Sequence, residues 1–301
     1  MVNARIVNNG SLDEALLDAD NRNGISQNEG TGWSGFTIRS ARSTGTVSQS
    51  HYIRHDDGTG PKLYASGTFT GSNNGAVARC DGTGSTGTWT IVGKTTAPFE
   101  NFTKIRTLDL GSGPAIYAFG MFTDIFPVSA NPISTGPVAR WTGTDWVGLN
   151  AGTLTRNGTG GPVTLFVADM ASFDDGTGTK LYATGPFDAI GGVIVRGLGR
   201  FNGSSWSAVG LGLNSFNDFL RVNPSALVVF DDDADGPVSP ALYISGFFDN
   251  ADGKHSENFA RFGINLSYTS CPACAADYNQ DGGVTGDDIA ALFVAFEQGG
   301  C

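Results

Sequence analysis

The chain contains 301 residues, of which 40% are hydrophobic and 16% charged, so it is long and apolar enough to bury a core rather than stay disordered. Its formal net charge of -11 and its 18 Lys and Arg residues argue against nucleic acid as a partner, because a phosphate backbone is held mainly by clustered basic groups. No run approaches the roughly 20 apolar residues of a bilayer-spanning helix, and MVNARIVNNG lacks the basic-then-apolar order of a secretory signal, so we expect no membrane span.

The N-terminal stretch is a degenerate copy of a pattern that recurs further along the chain. Residues 24–37 (GISQNEGTGWSGFT) align with residues 136–150 (GPVARWTGTDWVGLN) and place Gly30 on Gly143 and Trp33 on Trp146. The preceding segment, ARIVNNGSLDEALL, resembles ALVVFDDDADGPVSPALY. We therefore expect a further repeat unit at the N-terminus.

The body of the chain carries the repeat clearly, about every 60 residues. An Asp/Gly turn leads into a Leu-Tyr phrase, which is followed by an Ala-Arg phrase and then usually by a Trp phrase. The Leu-Tyr phrases are KLYASGTF (62–69), AIYAFGMF (115–122), KLYATGPF (180–187) and ALYISGFF (241–248). The Ala-Arg phrases are VARCDG (77–82), VARWTG (138–143), LGRFNG (198–203) and FARFG (259–263).

Each copy predicts four short antiparallel strands joined by Gly-rich hairpins. Such a sheet cannot bury both of its faces alone and must pack against its neighbours. Radial packing predicts an all-β fold, a β-propeller of about five four-stranded blades over residues 1–268. Four blades follow if the Trp33 strand completes the last blade, whereas six would require sequence beyond this chain. A flat sandwich would not explain why the same positions recur.

The phrases Leu-Tyr-x-x-Gly-x-Phe, Ala-Arg-Trp/Phe-x-Gly and Trp-x-x-Val/Leu-Gly resemble the kelch-like propeller repeats of secreted bacterial proteins of planctomycete type. The resemblance covers roughly residues 1–268. It implies a propeller and says little about chemistry, because such folds host enzymes, lectin-like binders and scaffolds.

The recurring polar residues are expected to be structural. Arg79, Arg140, Arg200 and Arg261 would stack on aromatic rings and bind an acidic turn of the adjacent unit. The Trp residues would be core spacers before they are sugar platforms, and Cys80, which replaces an aromatic residue, would be a small buried hydrophobe. The Asp groups before glycine, Asp56-Asp57, Asp174-Asp175 and Asp231-Asp232-Asp233, predict hairpin turns rather than paired catalytic acids.

Candidates for catalysis were sought among the non-repeated titratable residues. These are His51, His55, His255, Glu100, Asp124 and Glu257, and none has a motif neighbour. The chain contains no Gly-x-Ser-x-Gly, no His-Glu-x-x-His and no phosphate loop. We therefore assign no catalytic residue from sequence.

The C-terminal segment DYNQDGGVTGDDI has the spacing of a calcium loop. Oxygen-bearing side chains stand at positions one, three, five and twelve, glycine at six permits the sharp turn, and the backbone carbonyl at seven adds a ligand. An apolar stretch at helical spacing follows the loop. The pattern predicts a Ca²⁺ site in a loop-helix module over residues 269–301, with Asp277, Asn279, Asp281, Gly283 and Asp288 as ligands.

This segment resembles a type I dockerin loop, in which Asp occupies position twelve. Dockerins that bind cohesins carry two such loops and this chain has one, so the resemblance implies calcium-dependent folding of the tail first, with a cohesin-like partner as the less favoured alternative. A disulfide from Cys271 or Cys274 to Cys301 would close a loop there, which would fit a compartment outside the cytosol.

Together these features predict a non-catalytic extracellular or cell-surface propeller that mediates binding or assembly and carries a calcium-stabilised attachment module. The expected partner is a protein or glycan at the cell surface or in the matrix. The alternatives are a secreted carbohydrate-active hydrolase or lyase, with loops 97–107, 124–137, 150–168 and 212–225 around one mouth, and a lectin-like glycan binder.

Overall fold

The part of the chain that the structure describes is all-β, as expected from the sequence. The structure is a computed structural model. It describes residues 6–8, 14–17, 25–28, 33–36, 39–40, 43–44, 47–69, 74–81, 88–127, 131–156, 164–215, 222–231 and 239–264, with side chains from residue 51 onward except at 68–69 and 88–89. Every regular element in these ranges is a β-strand. The predicted tail module lies outside the described residues.

The strands form repeat units in which each strand pairs antiparallel with the next one of the unit. Unit 1 contains β1 (Ile6–Asn8), β2 (Glu14–Leu17), β3 (Ile25–Asn28) and β4 (Trp33–Phe36). A short hairpin of β5 (Arg39–Ser40) and β6 (Ser43–Thr44) follows. Unit 2 contains β7 (Val47–Asp56), β8 (Pro61–Phe69), β9 (Gly75–Asp81) and β10 (Thr88–Thr95).

The later units add a hairpin between their second and third strands. Unit 3 comprises β11 (Asn101–Asp109), β12 (Pro114–Met121), the hairpin strands β13 (Asp124–Pro127) and β14 (Ile133–Ser134), then β15 (Val138–Trp141) and β16 (Trp146–Gly148). Unit 4 comprises β17 (Asp169–Asp174), β18 (Thr179–Thr184), the hairpin strands β19 (Ala189–Ile190) and β20 (Val193–Ile194), then β21 (Leu198–Phe201) and β22 (Trp206–Ala208).

Within the described ranges, the main sheet of unit 5 has three strands, and a hairpin is again inserted before the last of them. Strand β23 (Leu213–Asn214) leads from unit 4 into it, and its own strands are β24 (Asn223–Phe230), β25 (Ala241–Phe247), the hairpin strands β26 (Asn250–Ala251) and β27 (Lys254–His255), then β28 (Phe259–Phe262).

The N-terminal copy predicted from sequence is a sheet of its own. In the last hairpin of unit 1, Asn28 pairs with Trp33, in the same register as Trp141 with Trp146 and Phe201 with Trp206. Strand β4 pairs with β3, so the alternative in which the Trp33 strand completes the last unit is not the pairing found.

The recurring Tyr and Arg are direct cross-strand neighbours. Tyr64 lies opposite Arg79, and the same pairing recurs in the next three units as Tyr117 with Arg140, Tyr182 with Arg200 and Tyr243 with Arg261. Cross-strand partners project from the same face of a sheet. We call the face that carries this pair the tyrosine face of a unit, and the other the opposite face.

Hydrophobic cores lie between consecutive units, each formed by the tyrosine face of one unit and the opposite face of the next. Between units 2 and 3, Tyr64 and Val77 pack with Ile105 and Ile116. Units 3 and 4, and units 4 and 5, form two further clusters of the same kind. The first strands of these units, β7, β11, β17 and β24, contact one another in that order.

The inserted hairpins join each unit to the one before it. Strand β13 of unit 3 pairs with β10 of unit 2, and β26 of unit 5 pairs with β23, which follows the last strand of unit 4. In unit 4 the link is an isolated bridge between Thr155 and Ala189. Backbone pairing therefore connects neighbouring units as well as the strands within one.

The glycine of the Leu-Tyr phrase is required by a close backbone approach. A Cβ placed on Gly120 would lie 2.4 Å from the carbonyl oxygen of Asn101, and one on Gly185 would lie 2.2 Å from that of Phe166. The first strand passes too close at this point for any side chain. This contact explains why the phrase keeps glycine when its neighbours vary.

Candidate functional site

The Asp residues before glycine are turn residues, as predicted. Asp174 Oδ1 accepts hydrogen bonds from the amides of Gly176 at 2.9 Å and Gly178 at 3.0 Å. Asp56 and Asp109 accept the equivalent pairs of glycine amides in units 2 and 3. Such self-bonding fixes a tight hairpin. Residues 232–238, which include Asp232 and Asp233, lie outside the described ranges.

The second Asp of the pair binds across the sheet of its own unit. Asp175 accepts hydrogen bonds from Thr177 and Tyr182 and forms ion pairs with Lys180 and Arg200. Burial alone would raise the pKa of Asp175, but these bonds outweigh it and hold the pKa well below its usual range. The carboxylate is therefore a fixed structural anion.

Unit 2 repeats this network with a different arginine contact. Burial opposes ionisation of Asp57, but hydrogen bonds from Thr59, Lys62 and Tyr64 lower its pKa to about 2. Burial, with the neighbouring carboxylate, raises the pKa of Tyr64 to about 12. The phenol and the carboxylate thus stay in their neutral and ionised forms, respectively, at neutral pH.

Three of the repeated arginines, Arg79, Arg200 and Arg261, make structural contacts, as predicted, but the predicted partner in the adjacent unit was wrong for two of them. Arg79 pairs with Asp81 at 2.8 Å and Arg200 with Asp175, both within their own unit. Arg261 donates to the hydroxyl of Tyr243 at 3.0 Å and lies over its ring. The direct Tyr–Arg register places Arg200 beside Asp175 of its own unit's turn, while the partner of Arg79 lies two residues along the same strand, so in both cases the local acid is the nearer partner.

Trp146 and Trp206, the tryptophans of the Trp phrase that are described with side chains, each form a hydrogen bond to the preceding unit. Trp146 Nε1 donates to the carbonyl of Val92 at 2.9 Å, and Trp206 Nε1 donates to that of Leu149 at 2.8 Å; each acceptor belongs to the preceding unit. Both rings are buried, which agrees with the predicted role as core spacers. The side chains of Trp33 and Trp89 lie outside the described part.

Among the candidates for catalysis, Glu100 and Asp124 form hydrogen bonds that hold loop segments in place. Glu100 accepts hydrogen bonds from the amides of Thr96, Ala97 and Thr123, and Thr123 also donates to Asp124. Glu100 and Asp124 are thereby brought together through one threonine. His255 lies on β27, with Glu257 between β27 and β28, and both are exposed.

The two histidines of β7 have different surroundings. His51 is exposed, whereas His55 is 7% exposed, with Nδ1 at 3.4 Å from the hydroxyl of Thr107 and its ring edge-on to Tyr64. Burial lowers the pKa of His55 despite the nearby Asp57 and Asp56. His55 is therefore a neutral packing residue. Cys80 is likewise buried as a free thiol, as predicted, and burial raises its pKa.

Sequence reasoning missed a buried carboxylate that joins three units. Asp169 on β17 is fully buried, and its Oδ2 accepts from Lys104 Nζ at 3.0 Å, Arg106 at 2.8 Å and the amide of Leu227 at 3.1 Å. Lys104 and Asp169 occupy equivalent positions on the first strands of units 3 and 4, opposite Phe119 and Thr184. The sequence signal that could have revealed this ion pair is a lysine in unit 3 and an aspartate in unit 4 at the same position of the repeat.

A groove between units 4 and 5 is the candidate binding site. Its volume is about 430 Å³, within the range of small-ligand sites. Val229 and Ile264, 36% and 44% exposed, provide apolar surface. The lining residues are Ser172, Phe173, Asp174, Gly176, Thr179, Val229, Ser239, Pro240 and Ile264. Asp174 is the one carboxylate among them, and its Oδ1 is occupied by the turn.

The predicted metal site lies outside the described residues. Asp277, Asn279, Asp281, Gly283 and Asp288 all belong to the tail, as do Cys271, Cys274 and Cys301 of the predicted disulfide. Within the described ranges, no group of three or more His, Cys, Asp and Glu side chains is arranged to hold a metal ion. The same ranges contain no helix long and apolar enough to cross a bilayer.

Comparison with known proteins gives no relative for this arrangement. No protein-family model, no curated protein and no solved structure matches the chain.

Proposed function

We propose that this protein is a non-catalytic extracellular or cell-surface β-propeller whose units are its blades and which mediates binding or assembly. The consecutive contacts of β7, β11, β17 and β24, with a core between each pair of units, support radial packing. The repeated tyrosine and arginine then hold each blade, and the tryptophans hold blade to blade.

Binding is favoured over catalysis by the state of the groove. An enzyme for glycosides needs two carboxyl groups about 5 to 10 Å apart across the scissile bond. In the described lining, Asp174 is the one acid, and one of its oxygens holds two turn amides. The observation that carries the proposal is this groove, which is lined by apolar and hydroxyl-bearing side chains and has no acid pair in its described lining.

The groove suits a partner with apolar and hydroxyl-bearing surface. Val229 and Ile264 offer exposed apolar contact area, while Ser172 and Thr179 add hydroxyls to the lining. A protein segment or a glycan at the cell surface or in the matrix meets both needs.

A binding screen tests this proposal. The full chain would be applied to glycan and matrix-protein arrays, and each hit measured again with Val229→Glu and Ile264→Glu. We expect both variants to lose binding, whereas Val147→Glu, at an exposed position in unit 3, should keep it. Equal binding by all variants would remove the groove from the proposal, and turnover of an array glycan would favour the carbohydrate-active alternative.

We further propose that the tail binds Ca²⁺ through Asp277, Asn279, Asp281, Gly283 and Asp288 and serves attachment. The donor set supports this, because hard oxygen ligands at these spacings suit Ca²⁺. Calorimetry of the full chain should show Ca²⁺ uptake that Asp281→Ala removes. No uptake at millimolar Ca²⁺ would refute the site.

A further inference from the structure

Unit 5 exposes the face that units 2, 3 and 4 bury at the three described junctions. On the tyrosine face of unit 5, Val228 is 53% exposed, Phe230 58% and Phe259 56%. On the opposite face of the same unit, Leu227, Leu242 and Ile244 pack into the core with unit 4, while Val229 lines the groove described above. The larger exposure is therefore on the tyrosine face, which has no such core beside it among the described residues.

Equivalent positions in the other units show that this face is built for burial. Phe259 takes the place of Val77, Val138 and Leu198, which are 0%, 0% and 3% exposed. Phe230 takes the place of His55, Leu108 and Phe173, all of which are buried. Tyr243 is half-buried, although its counterparts Tyr64, Tyr117 and Tyr182 are buried.

The aromatic side chains on this face form one continuous surface. Tyr243 stacks on Phe259 with ring centroids 5.6 Å apart and meets Phe230 edge-on at 6.3 Å, while Arg261 covers part of the tyrosine ring. Large aromatic side chains bury about 150 to 250 Å² each, so leaving them in water forfeits much stabilisation. A contiguous apolar surface of this kind marks an interface.

The chain itself offers one more sheet of the required form. Unit 1 has the strand order of the other four-stranded units and the same register in its last hairpin. At each junction already described, a tyrosine face receives the opposite face of a sheet of this kind.

We propose that the tyrosine face of unit 5 is the docking surface for unit 1 of the same chain. This junction would pair a tyrosine face with an opposite face, as the three described junctions do. On the unit 5 side, the interface consists mainly of aromatic and aliphatic side chains, and Arg261 is its charged residue. This inference rests on the radial arrangement proposed above, but it concerns a junction that needs no ligand.

Site-specific photocross-linking tests this docking. The full chain would carry p-benzoylphenylalanine in place of Phe259 or of Phe230, with Val147→p-benzoylphenylalanine as the matched exposed control. We expect cross-links to residues 6–36 within a monomer, and none to that segment from the control. Cross-links in a dimer, cross-links to residues 265–301, or yields no higher than the control would each overturn the proposal.

Hydrogen exchange provides a second measurement that does not depend on a modified residue. Phe259→Asp should raise deuterium uptake in residues 6–36 and leave residues 101–121 of unit 3 unchanged, which would also show that the chain still folds. Unchanged uptake in residues 6–36 would contradict the docking. Neither result depends on the array screen, so loss of the groove's binding function and loss of this junction are told apart.

Discussion

Units 3 and 4 place different chemistry on the same hairpin. In unit 4, Asp175 and Lys180 form an ion pair between the turn and the second strand. In unit 3, Leu110 and Ala115 occupy these two positions and pack against the core shared by both units. Unit 3 therefore lacks both the carboxylate and the lysine of this ion pair. Because the two charges are absent together, neither is left in the hairpin without the other.

The shared features of the two units are the ones that define the fold. Asp109 and Asp174 make the same pair of bonds to glycine amides, and Trp146 and Trp206 each donate to the preceding unit. The bonds from the turn aspartate to the glycine amides and the tryptophan bonds to the preceding unit are therefore common to both units. The ionic network within a unit, in contrast, can be exchanged for apolar packing. This agrees with the small net gain of buried ion pairs over apolar residues of similar size.

The largest expected effect concerns a contact between units. Asp169→Ala should lower the free energy of unfolding by about 3 kcal/mol, because Lys104 and Arg106 and the Leu227 amide lose a shared buried acceptor. Denaturant titration measures this. Asp175→Ala, which removes contacts within unit 4, provides the comparison, and an equal or smaller loss for Asp169→Ala would contradict the greater contribution of this contact between units.

A change within unit 4 should have a smaller effect that can be reversed. Asp175→Ala should cost about 2 kcal/mol because Lys180 and Arg200, both partly solvated, lose their partner. The double variant Asp175→Leu with Lys180→Ala copies unit 3 and should recover most of that loss in the same titration. Failure to recover would show that the two hairpins are not interchangeable.

The tryptophan bond between units should contribute less again. Trp206→Phe keeps the ring but removes the donor to Leu149, so we expect a loss of about 1 to 2 kcal/mol from the unsatisfied carbonyl. Trp146→Phe should behave alike in unit 3 because its bond to Val92 is equivalent. Thermal unfolding of both variants measures the effect, and a large difference between them would weaken the equivalence of the units.

The smallest expected effect is a pH dependence of the free energy of unfolding that comes from His55. This histidine of unit 2 stands at the position that Leu108 occupies in unit 3 and Phe173 in unit 4. The folded protein lowers the pKa of His55, so the unfolded chain binds more protons and stability falls as pH drops below about 6.5. His55→Leu should flatten that part of the stability curve between pH 7.5 and 5.5. Leu108→His should introduce a similar slope in unit 3, and an unchanged slope in His55→Leu would assign the effect to other groups.

Much of the fold was predictable because the repeat depends on turns and strand pairs formed by residues close together in the sequence. The turn role of Asp174, the burial of Trp206 and the separate N-terminal unit all follow from short phrases whose strands pair with their neighbours in sequence. The arginine partner was predicted in the wrong unit because a linear pattern does not give the register that sets Arg200 directly opposite Tyr182.

The candidate site was not predictable in the same way. The groove joins Phe173 of unit 4 to Val229 and Ile264 of unit 5, residues that no motif connects. Asp169 was missed for the same reason, since its three partners come from β11 and β24 on either side. Contacts of this range depend on which faces of two sheets meet.

The sequence by itself determined the strands, their turns, the recurrence of the units and the oxygen spacing of the tail, because these depend on residues close together in the chain. The packing between units is visible only in the folded protein: the tyrosine faces of units 2, 3 and 4 meet the opposite face of the next unit, Asp169 becomes a shared acceptor, and the tyrosine face of unit 5 is exposed. The physical reason is that a sheet has two faces, and the choice between them is made by packing against a distant segment and not by the strand itself.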